Sequence, residues 1–217
     1  LENLKSEVKE FIAISKMNKI RKEKGFATSG FNLHSLFLGN PGTGKTTVAR
    51  LMGQLLHENG IIASSKYVET SRSNLVGQYI GHTAQKTKEI LESALGGVLF
   101  IDEAYTLAVG GENDFGIEAI NEILKFMEDH REDLVIIFAG YTKDMERFLE
   151  MNEGLRSRIP NTFVFEDYTY EQLVQIGLDE LAKNGYTVDA EAYKALIENN
   201  LEKTNDHSNG RWVRNQN

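Results

Sequence analysis

The fold is decided by residues 35–50, which read Ser35-Leu-Phe-Leu-Gly-Asn-Pro-Gly-Thr-Gly-Lys-Thr-Thr-Val-Ala-Arg50. Leu36 to Leu38 form a short apolar run that is typical of a buried strand. Residues 39–46 then match the pattern G-x-x-x-x-G-K-[ST] of a P-loop, and apolar residues at helical spacing follow as far as Leu56. A glycine-rich turn between a strand and a helix presents backbone N–H groups to phosphate oxygens. The stretch therefore predicts a nucleotide-binding site.

Individual P-loop residues are expected to contact different parts of a bound nucleotide and its metal ion. Lys45 adds a positive charge for the β- and γ-phosphates and so also serves catalysis, and the Thr46 hydroxyl is expected to be a ligand of Mg²⁺. A chance resemblance is the alternative, and a full match between a strand and a helix weighs against it. The residues expected to bind the nucleotide are Asn40, Pro41, Gly42, Thr43, Gly44, Lys45, Thr46 and Thr47.

Composition limits the classes of function. The chain has 217 residues, 41% of them hydrophobic and 26% charged, with a net charge of −8. This predicts an ordinary globular protein, and the negative charge argues against nucleic acid as the main ligand. No run is long enough for a membrane span, no signal peptide is visible, and the lack of cysteine fits a cytoplasmic protein. Because the chain begins at Leu1 inside a predicted helix and stops soon after another begins, we expect a longer parent protein.

The rest of the chain alternates between apolar strands and amphipathic helices. An N-terminal helix to about Lys24 precedes the P-loop, and near-continuous apolar strands alternate with helices after it. This pattern predicts an α/β fold of the P-loop type, a five-stranded parallel sheet with helices on both faces. The predicted strands are 36–38, 66–69, 98–101, 134–139 and 163–165. The predicted helices include 83–94, with Thr83 as N-cap, and 116–129, with Ile117, Ile120, Ile123, Leu124 and Met127 facing inward.

From Tyr168 onward the pattern is helical only. A capping box at Thr169 to Gln172 opens one helix, an Asp189 N-cap opens a second, and a third begins near Asn209. We therefore predict two domains, an α/β nucleotide-binding core with its N-terminal helix over residues 1–167 and a small C-terminal helical lid over residues 168–217.

Two acidic residues directly follow the third strand. Asp102 lies where parallel sheets place their ligands, and a carboxylate there is expected to hold Mg²⁺. Glu103, one residue further on, is expected to act as the general base that activates water. A solvated strand end is the ordinary alternative, but the P-loop upstream favours the catalytic interpretation. Two adjacent acids favour hydrolysis over nucleotide sensing.

Arginines in two places are candidates for phosphate contacts. Arg156 and Arg158 precede the last strand, where one of them is placed to be an arginine finger, and surface ion pairs are the alternative. Arg211 and Arg214 begin the last helix, where a guanidinium either contacts the γ-phosphate or is solvated. Tyr79 and Ile80 lie between two glycines, which is an unusual place for bulky residues unless a loop presents them.

These motifs together resemble the AAA+ ATPases, and more narrowly the branch that contains CbbX, the red-type Rubisco activase, and stage V sporulation protein K. The resemblance covers nearly the whole chain. It is carried by Gly39-Asn-Pro-Gly-Thr-Gly-Lys-Thr-Thr47, Leu75-Val-Gly-Gln-Tyr-Ile-Gly-His-Thr83, Gly97-Val-Leu-Phe-Ile-Asp-Glu-Ala-Tyr105 and Ala139-Gly-Tyr141. It implies ATP and Mg²⁺ as cofactors, Lys45 and Thr46 as Walker A, and Asp102 and Glu103 as Walker B.

The resemblance also implies an assembly and a partner. Tyr79, Ile80 and Gly81 would form a pore loop that grips a protein substrate at the centre of a hexameric ring. Arg158, or alternatively Arg156, would reach into the nucleotide site of the neighbouring subunit, and Arg211 would be sensor 2. Sensor 1 often carries Asn or Thr in the family, and here Tyr141 stands at that position, followed by Thr142.

Two function classes remain open at this stage. The first is a protein-remodelling motor driven by Mg-ATP, and the second is an ATP-gated scaffold within a larger regulatory or secretion-associated protein. The retention of Glu103 favours the motor, because a scaffold needs no general base. The segment that lines the adenine pocket in the family is not recognisable around Leu1 to Lys9.

Overall fold

The computed structural model describes residues 2–26, 32–77, 79, 81–110, 115–204 and 208–217. Contacts group the chain into two units, one of residues 1–38 and 46–164 and the other of residues 39–45 and 165–217. The P-loop thus belongs to the same unit as the C-terminal helices. The boundary between residues 167 and 168 stays a prediction. Within the described residues, no helix combines the length and the apolar character needed to cross a membrane.

Among the described residues, five strands form one sheet: β1 Ser35–Gly39, β2 Tyr67–Thr70, β3 Val98–Ile101, β4 Val135–Gly140 and β5 Asn161–Phe165. Their order across the sheet is β2-β3-β4-β1-β5. The pairs β1–β4, β2–β3 and β3–β4 are parallel, with Leu36 opposite Phe138 and Leu99 opposite Ile136. The central strands are buried along their whole length, which explains their unbroken apolar sequence.

Helices connect these strands and continue beyond them. The helices before β5 are α1 Glu2–Glu23, α2 Lys45–Glu58, α3 Arg72–Leu75, α4 His82–Ser93, α5 Phe115–Asp129, α6 Thr142–Glu150 and α7 Glu153–Arg158, with a 3-10 helix at Ala104–Ala108. The helices after it are α8 Tyr170–Lys183, α9 Ala190–Lys203 and α10 Gly210–Gln216. The sequence pattern missed α3, α6, α7 and the 3-10 helix, because each is too short to show a clear apolar period.

Apolar side chains cover both faces of the sheet in the first unit. On one face, alternate residues of β1, β3 and β4 pack with residues of α5 such as Ile120 and Ile123. On the other face, the Phe163 ring lies 5.4 Å from that of Phe37 and 5.5 Å from that of Phe11 in α1. The predicted parallel sheet with helices on both faces is therefore confirmed.

Two details of the predicted helices are wrong. Helix α4 begins one residue earlier than Thr83, after a left-handed Gly81. The Thr83 hydroxyl is buried and accepts a hydrogen bond from the Gly77 N–H at 3.0 Å, so it stabilises the preceding loop instead of capping the helix. In α5, Ile117 is 41% exposed, and Phe126 is buried in the core where it was not expected.

The helices of the second unit begin as predicted. The Thr169 hydroxyl accepts from the Gln172 N–H and the Gln172 side chain accepts from the Thr169 N–H, which completes the capping box of α8. Asp189 accepts from the Ala192 N–H at 2.9 Å and caps α9. These helices enclose a small core of Leu173, Val174, Tyr193, Ile197, Trp212 and Val213.

A buried histidine makes the stability of the first unit depend on pH. His34 is 1% exposed, and its Nδ1 accepts a hydrogen bond from the Ile136 N–H at 3.0 Å. Burial, with a smaller contribution from the charge of Arg131, lowers the pKa of His34 to about 4. The ring is therefore neutral in the folded chain at pH values where it is protonated in the unfolded chain.

We expect the free energy of unfolding to fall as the pH is lowered from about 7.5 to 5, with His34 contributing about 2 kcal/mol of that loss. Between the two pKa values the unfolded chain binds the extra proton, so stability is complete above the unfolded pKa and is lost below it. His34→Asn keeps an acceptor for the Ile136 N–H but cannot titrate. Urea unfolding of wild type and His34→Asn at several pH values measures how the free energy of unfolding changes with pH in each protein. If it changes equally in both above pH 5, His34 is not the group responsible.

Candidate functional site

The P-loop has the tight backbone that its sequence predicts. Gly42 and Gly44 have left-handed φ values of 70° and 94°, which residues with side chains rarely adopt. The Thr43 hydroxyl donates to the Asn40 carbonyl at 2.8 Å and closes the turn. The loop therefore has the local geometry of an anion-binding turn.

Lys45 is held against the P-loop itself. Its Nζ donates to the carbonyl oxygens of Gly39 and Asn40, both at 2.7 Å. These bonds keep the ammonium at the loop, where a phosphate needs a positive charge. Thr46 is half-buried and Thr47 is exposed at the start of α2. This set of groups fits a bound nucleotide, and Thr46 offers a hydroxyl of the kind that Mg²⁺ accepts.

The two acids at the end of β3 are presented by a strained backbone. Asp102 still belongs to the ladder, since its N–H donates to the Thr70 carbonyl at 2.9 Å. Its Oδ1 accepts from the Glu103 N–H at 3.0 Å. Glu103 has φ 47° and ψ 46°, and its carbonyl accepts from the Thr106 N–H at 2.9 Å and the Thr106 hydroxyl at 2.7 Å.

A left-handed glutamate costs about 1–2 kcal/mol and persists where its neighbours hold it in place. Glycine would adopt the same backbone without that cost. The exposed Glu103 side chain instead lies directly after a potential metal ligand, in the arrangement expected of a general base. The strain is therefore an independent reason to treat Glu103 as functional.

Two tyrosines lie beside these acids. The rings of Tyr105 and Tyr141 are 5.8 Å apart, and Tyr141 precedes the first turn of α6. Burial, followed by the negative charge of Glu103, raises the pKa of Tyr105 to about 12. The structure thus brings the predicted Tyr141 close to the acids and adds Tyr105. The sequence motif that contains Tyr105 did not assign it a role. Its position two residues after Glu103 was the only indication in the sequence that it lies near the site.

The arginines before β5 lie in different surroundings. Arg156 is exposed, whereas Arg158 is half-buried and donates through Nη1 to the Gly154 carbonyl at 3.1 Å. Arg158 Nη2 also lies 3.4 Å from Glu128 Oε2. Arg131 binds the same glutamate, and a hydrogen bond from Arg131 holds the pKa of Glu128 below its usual value. An ion pair of this kind is what the alternative interpretation of these arginines expected, although the sequence did not identify Glu128, which lies 30 positions before Arg158.

The arginines of α10 also differ. Arg214 Nε lies 3.6 Å from Glu180 Oε2, while the Arg211 side chain is exposed. Of these two residues, Arg214 forms an ion pair within the described part of the chain, whereas the Arg211 guanidinium is at the surface. The role of Arg211 as a phosphate contact stays a prediction.

The glycine-flanked loop presents an aromatic side chain to solvent. Tyr79 is 67% exposed, and its ring centre lies 5.6 Å from that of His82. Gly81 is left-handed and immediately precedes α4. Ile80, the second predicted pore-loop residue, lies outside the described residues. A large exposed aromatic ring is suited to contact with another molecule.

Comparison with known proteins finds one matching family model and relatives that align over nearly the whole chain. Residues 35–167 match the model of the "ATPase family associated with various cellular activities (AAA)". The chain is 44% identical to stage V sporulation protein K of Bacillus subtilis over 99% of its own length and 68% of that protein. It is 46% identical to the chloroplastic ribulose bisphosphate carboxylase/oxygenase activase of Cyanidioschyzon merolae, over 99% of this chain and 74% of that protein.

Solved structures share the fold. The Holliday junction branch migration motor RuvB of Thermotoga maritima superimposes with a TM-score of 0.65 at 21% identity, over 98% of this chain and 59% of that chain. The FIGL-1 AAA domain in complex with ADP gives a TM-score of 0.64 at 20% identity, over 91% of this chain and 64% of that chain. At this identity the likeness concerns the fold alone.

Proposed function

Because the chain belongs to the AAA family of ATPases, in the branch of stage V sporulation protein K and CbbX, we propose that it couples hydrolysis of Mg-ATP to the remodelling of a protein partner within a hexameric ring. The observation that carries the hydrolytic part is Glu103, a glutamate kept in a left-handed conformation directly after Asp102. The net charge of −8 favours a protein partner over nucleic acid. We propose that the motor acts in the cytoplasm.

Each predicted residue has a role in this proposal. Residues 40–47 bind the phosphates, with the Lys45 ammonium at the β- and γ-phosphates. The Thr46 hydroxyl and the Asp102 carboxylate would hold Mg²⁺, which when bound neutralises charge on the phosphate oxygens. A carboxylate oxygen of Glu103 takes the proton of the attacking water, and Tyr141 helps to orient that water.

Arginines complete the proposed site. Arg158 of an adjacent subunit, or alternatively Arg156, stabilises the charge that develops on the transferred phosphoryl group. To do so, Arg158 exchanges its contact with Glu128 for a phosphate contact. Arg211 contacts the γ-phosphate as sensor 2. Support for the first role comes from the modest free energy of a partly exposed ion pair, about 0–1 kcal/mol, which a phosphate contact readily exceeds.

Tyr79 is the proposed contact with the polypeptide, together with Ile80 and Gly81. We expect Tyr79→Ala to hydrolyse ATP within about twofold of wild type but to lose stimulation by an unfolded polypeptide, because an aromatic anchor contributes most of such a contact. Steady-state turnover with and without reduced, carboxymethylated lactalbumin measures this. Tyr186→Ala, which removes a tyrosine of similar exposure, is the matched control.

Two outcomes of the Tyr79 experiment would contradict this proposal, the first for Tyr79 alone and the second for the motor. Retained stimulation in Tyr79→Ala would mean that another segment contacts the polypeptide. A lack of effect of the polypeptide on wild-type turnover, combined with nucleotide-dependent assembly, would favour the ATP-gated scaffold.

A further inference from the structure

Three successive carbonyl groups of the P-loop are bound from outside the loop by the C-terminal segment of the second unit. The Pro41 carbonyl accepts from Asn209 Nδ2 at 3.3 Å, and the Gly42 carbonyl accepts from the Gly210 N–H at 3.1 Å. The Thr43 carbonyl accepts from the Tyr168 hydroxyl at 2.9 Å. All of these residues belong to the second unit.

Asn209 is the centre of this arrangement. Its side chain, in a residue that is 5% exposed, accepts from the Tyr168 N–H at 2.8 Å and donates to Asp167 Oδ1 at 2.8 Å. Asp167 in turn accepts from the Asn40 side-chain amide at 3.0 Å. Asn209 has a left-handed φ of 53°, a strained backbone that its side-chain bonds help to retain.

Residues 208–211 pack so closely on the P-loop that a side chain at Gly42 would collide with them. A Cβ atom on Gly42 would lie 2.1 Å from the Ser208 carbonyl oxygen and 2.7 Å from the Arg211 nitrogen. The lack of a side chain at Gly42, a variable position of the P-loop pattern, therefore allows the backbone of residues 208–211 to pack directly on the loop.

The direction of the P-loop amides follows from these carbonyl bonds. A trans peptide unit is planar and its C=O and N–H point in opposite directions. The carbonyl groups of Pro41, Gly42 and Thr43 share their peptide planes with the N–H groups of residues 42, 43 and 44. Each hydrogen bond that holds one of these carbonyl groups therefore also holds the N–H group in the same peptide plane, which points the opposite way.

We propose that Tyr168 and Asn209 are positioning residues that preorganise the P-loop N–H groups for phosphate binding. The inference rests on the proposed nucleotide site at the P-loop. Neither side chain contacts the phosphates in this role, and both act through the peptide planes of residues 41–44. Preorganisation raises affinity because the loop is ordered before the ligand binds.

Tyr168→Phe and Asn209→Gly test this proposal. Tyr168→Phe removes one hydroxyl, and Asn209→Gly removes the side chain while relieving the left-handed backbone. We expect Tyr168→Phe to raise the Kd for Mg-ADP about fivefold, which corresponds to one hydrogen bond, and Asn209→Gly to raise it about tenfold or more. Titration with a fluorescent ADP measures the Kd, and thermal unfolding without nucleotide reports stability.

Tyr170→Phe is the matched control, because the Tyr170 hydroxyl donates to the Lys194 carbonyl at 2.7 Å in the same unit but away from the P-loop. It should lower stability as much as Tyr168→Phe and leave the Kd within about twofold of wild type. Wild-type affinity in both variants, or an equal loss in the control, would overturn the proposal. Failure of the wild-type chain to bind Mg-ADP would instead overturn the nucleotide site itself.

Discussion

The Glu103→Gln variant is expected to bind Mg-ATP with nearly wild-type affinity and to hydrolyse it about 10²- to 10⁴-fold more slowly. The amide has the shape of the carboxylate but cannot accept the proton of the attacking water. Binding is expected to persist because it depends on the P-loop with Lys45 and on Thr46. Single-turnover hydrolysis and a separate Kd measurement distinguish the two effects.

Two controls show whether the loss in Glu103→Gln is chemical. Glu146→Gln changes an exposed glutamate of α6 and should leave turnover unchanged. Glu103→Gly relieves the left-handed backbone and should therefore match wild type in stability to within about 1 kcal/mol while losing turnover as Glu103→Gln does. Wild-type turnover in Glu103→Gln would mean that another group is the base.

The second large effect is expected for Arg158→Ala, which should lower turnover about 10³- to 10⁵-fold with little change in ATP affinity. An arginine supplied by a neighbouring subunit acts on the transition state more than on bound ATP. The variant should remain folded, because the half-exposed contact with Glu128 contributes only about 0–1 kcal/mol. Turnover and Kd are measured in parallel.

Arg156→Ala is the control for Arg158, since Arg156 is exposed two residues earlier on α7. It should retain turnover within about threefold, as exposed substitutions away from a site usually do. A large loss in Arg156→Ala with an active Arg158→Ala would assign the finger to Arg156. A strong loss of ATP affinity in Arg158→Ala would instead make Arg158 a structural residue or a contact within its own subunit.

The features that could be predicted from the sequence are those encoded by residues close together in the chain. The P-loop, the Asp102–Glu103 pair and the capping box at Thr169 are short motifs whose residues act on one another locally, and the unbroken apolar strands identify a buried parallel sheet. The sequence therefore predicted the fold class and the positions of the main candidate residues.

The remaining features depend on contacts between residues far apart in the chain. The Tyr168 and Asn209 bonds to the P-loop span 125 and 168 positions, and no local pattern announces them. The left-handed backbone of Glu103 is likewise invisible in a residue type that seldom adopts it. Thr83 was assigned as a helix cap because its spacing allowed it, whereas the folded loop uses its hydroxyl for the Gly77 N–H.

A mixture of Arg158→Ala and Glu103→Gln subunits tests the central claim most directly. Each variant alone should be nearly inactive, whereas a mixed ring contains sites with an intact Glu103 and an intact Arg158 from the neighbour. Random mixing in equal amounts should restore about a quarter of wild-type turnover, because head-to-tail interfaces combine the two subunits independently. If the subunits of the mixture hydrolyse ATP no faster than they do in the two separate variants, the result would contradict a site shared between subunits of an ATP-hydrolysing ring.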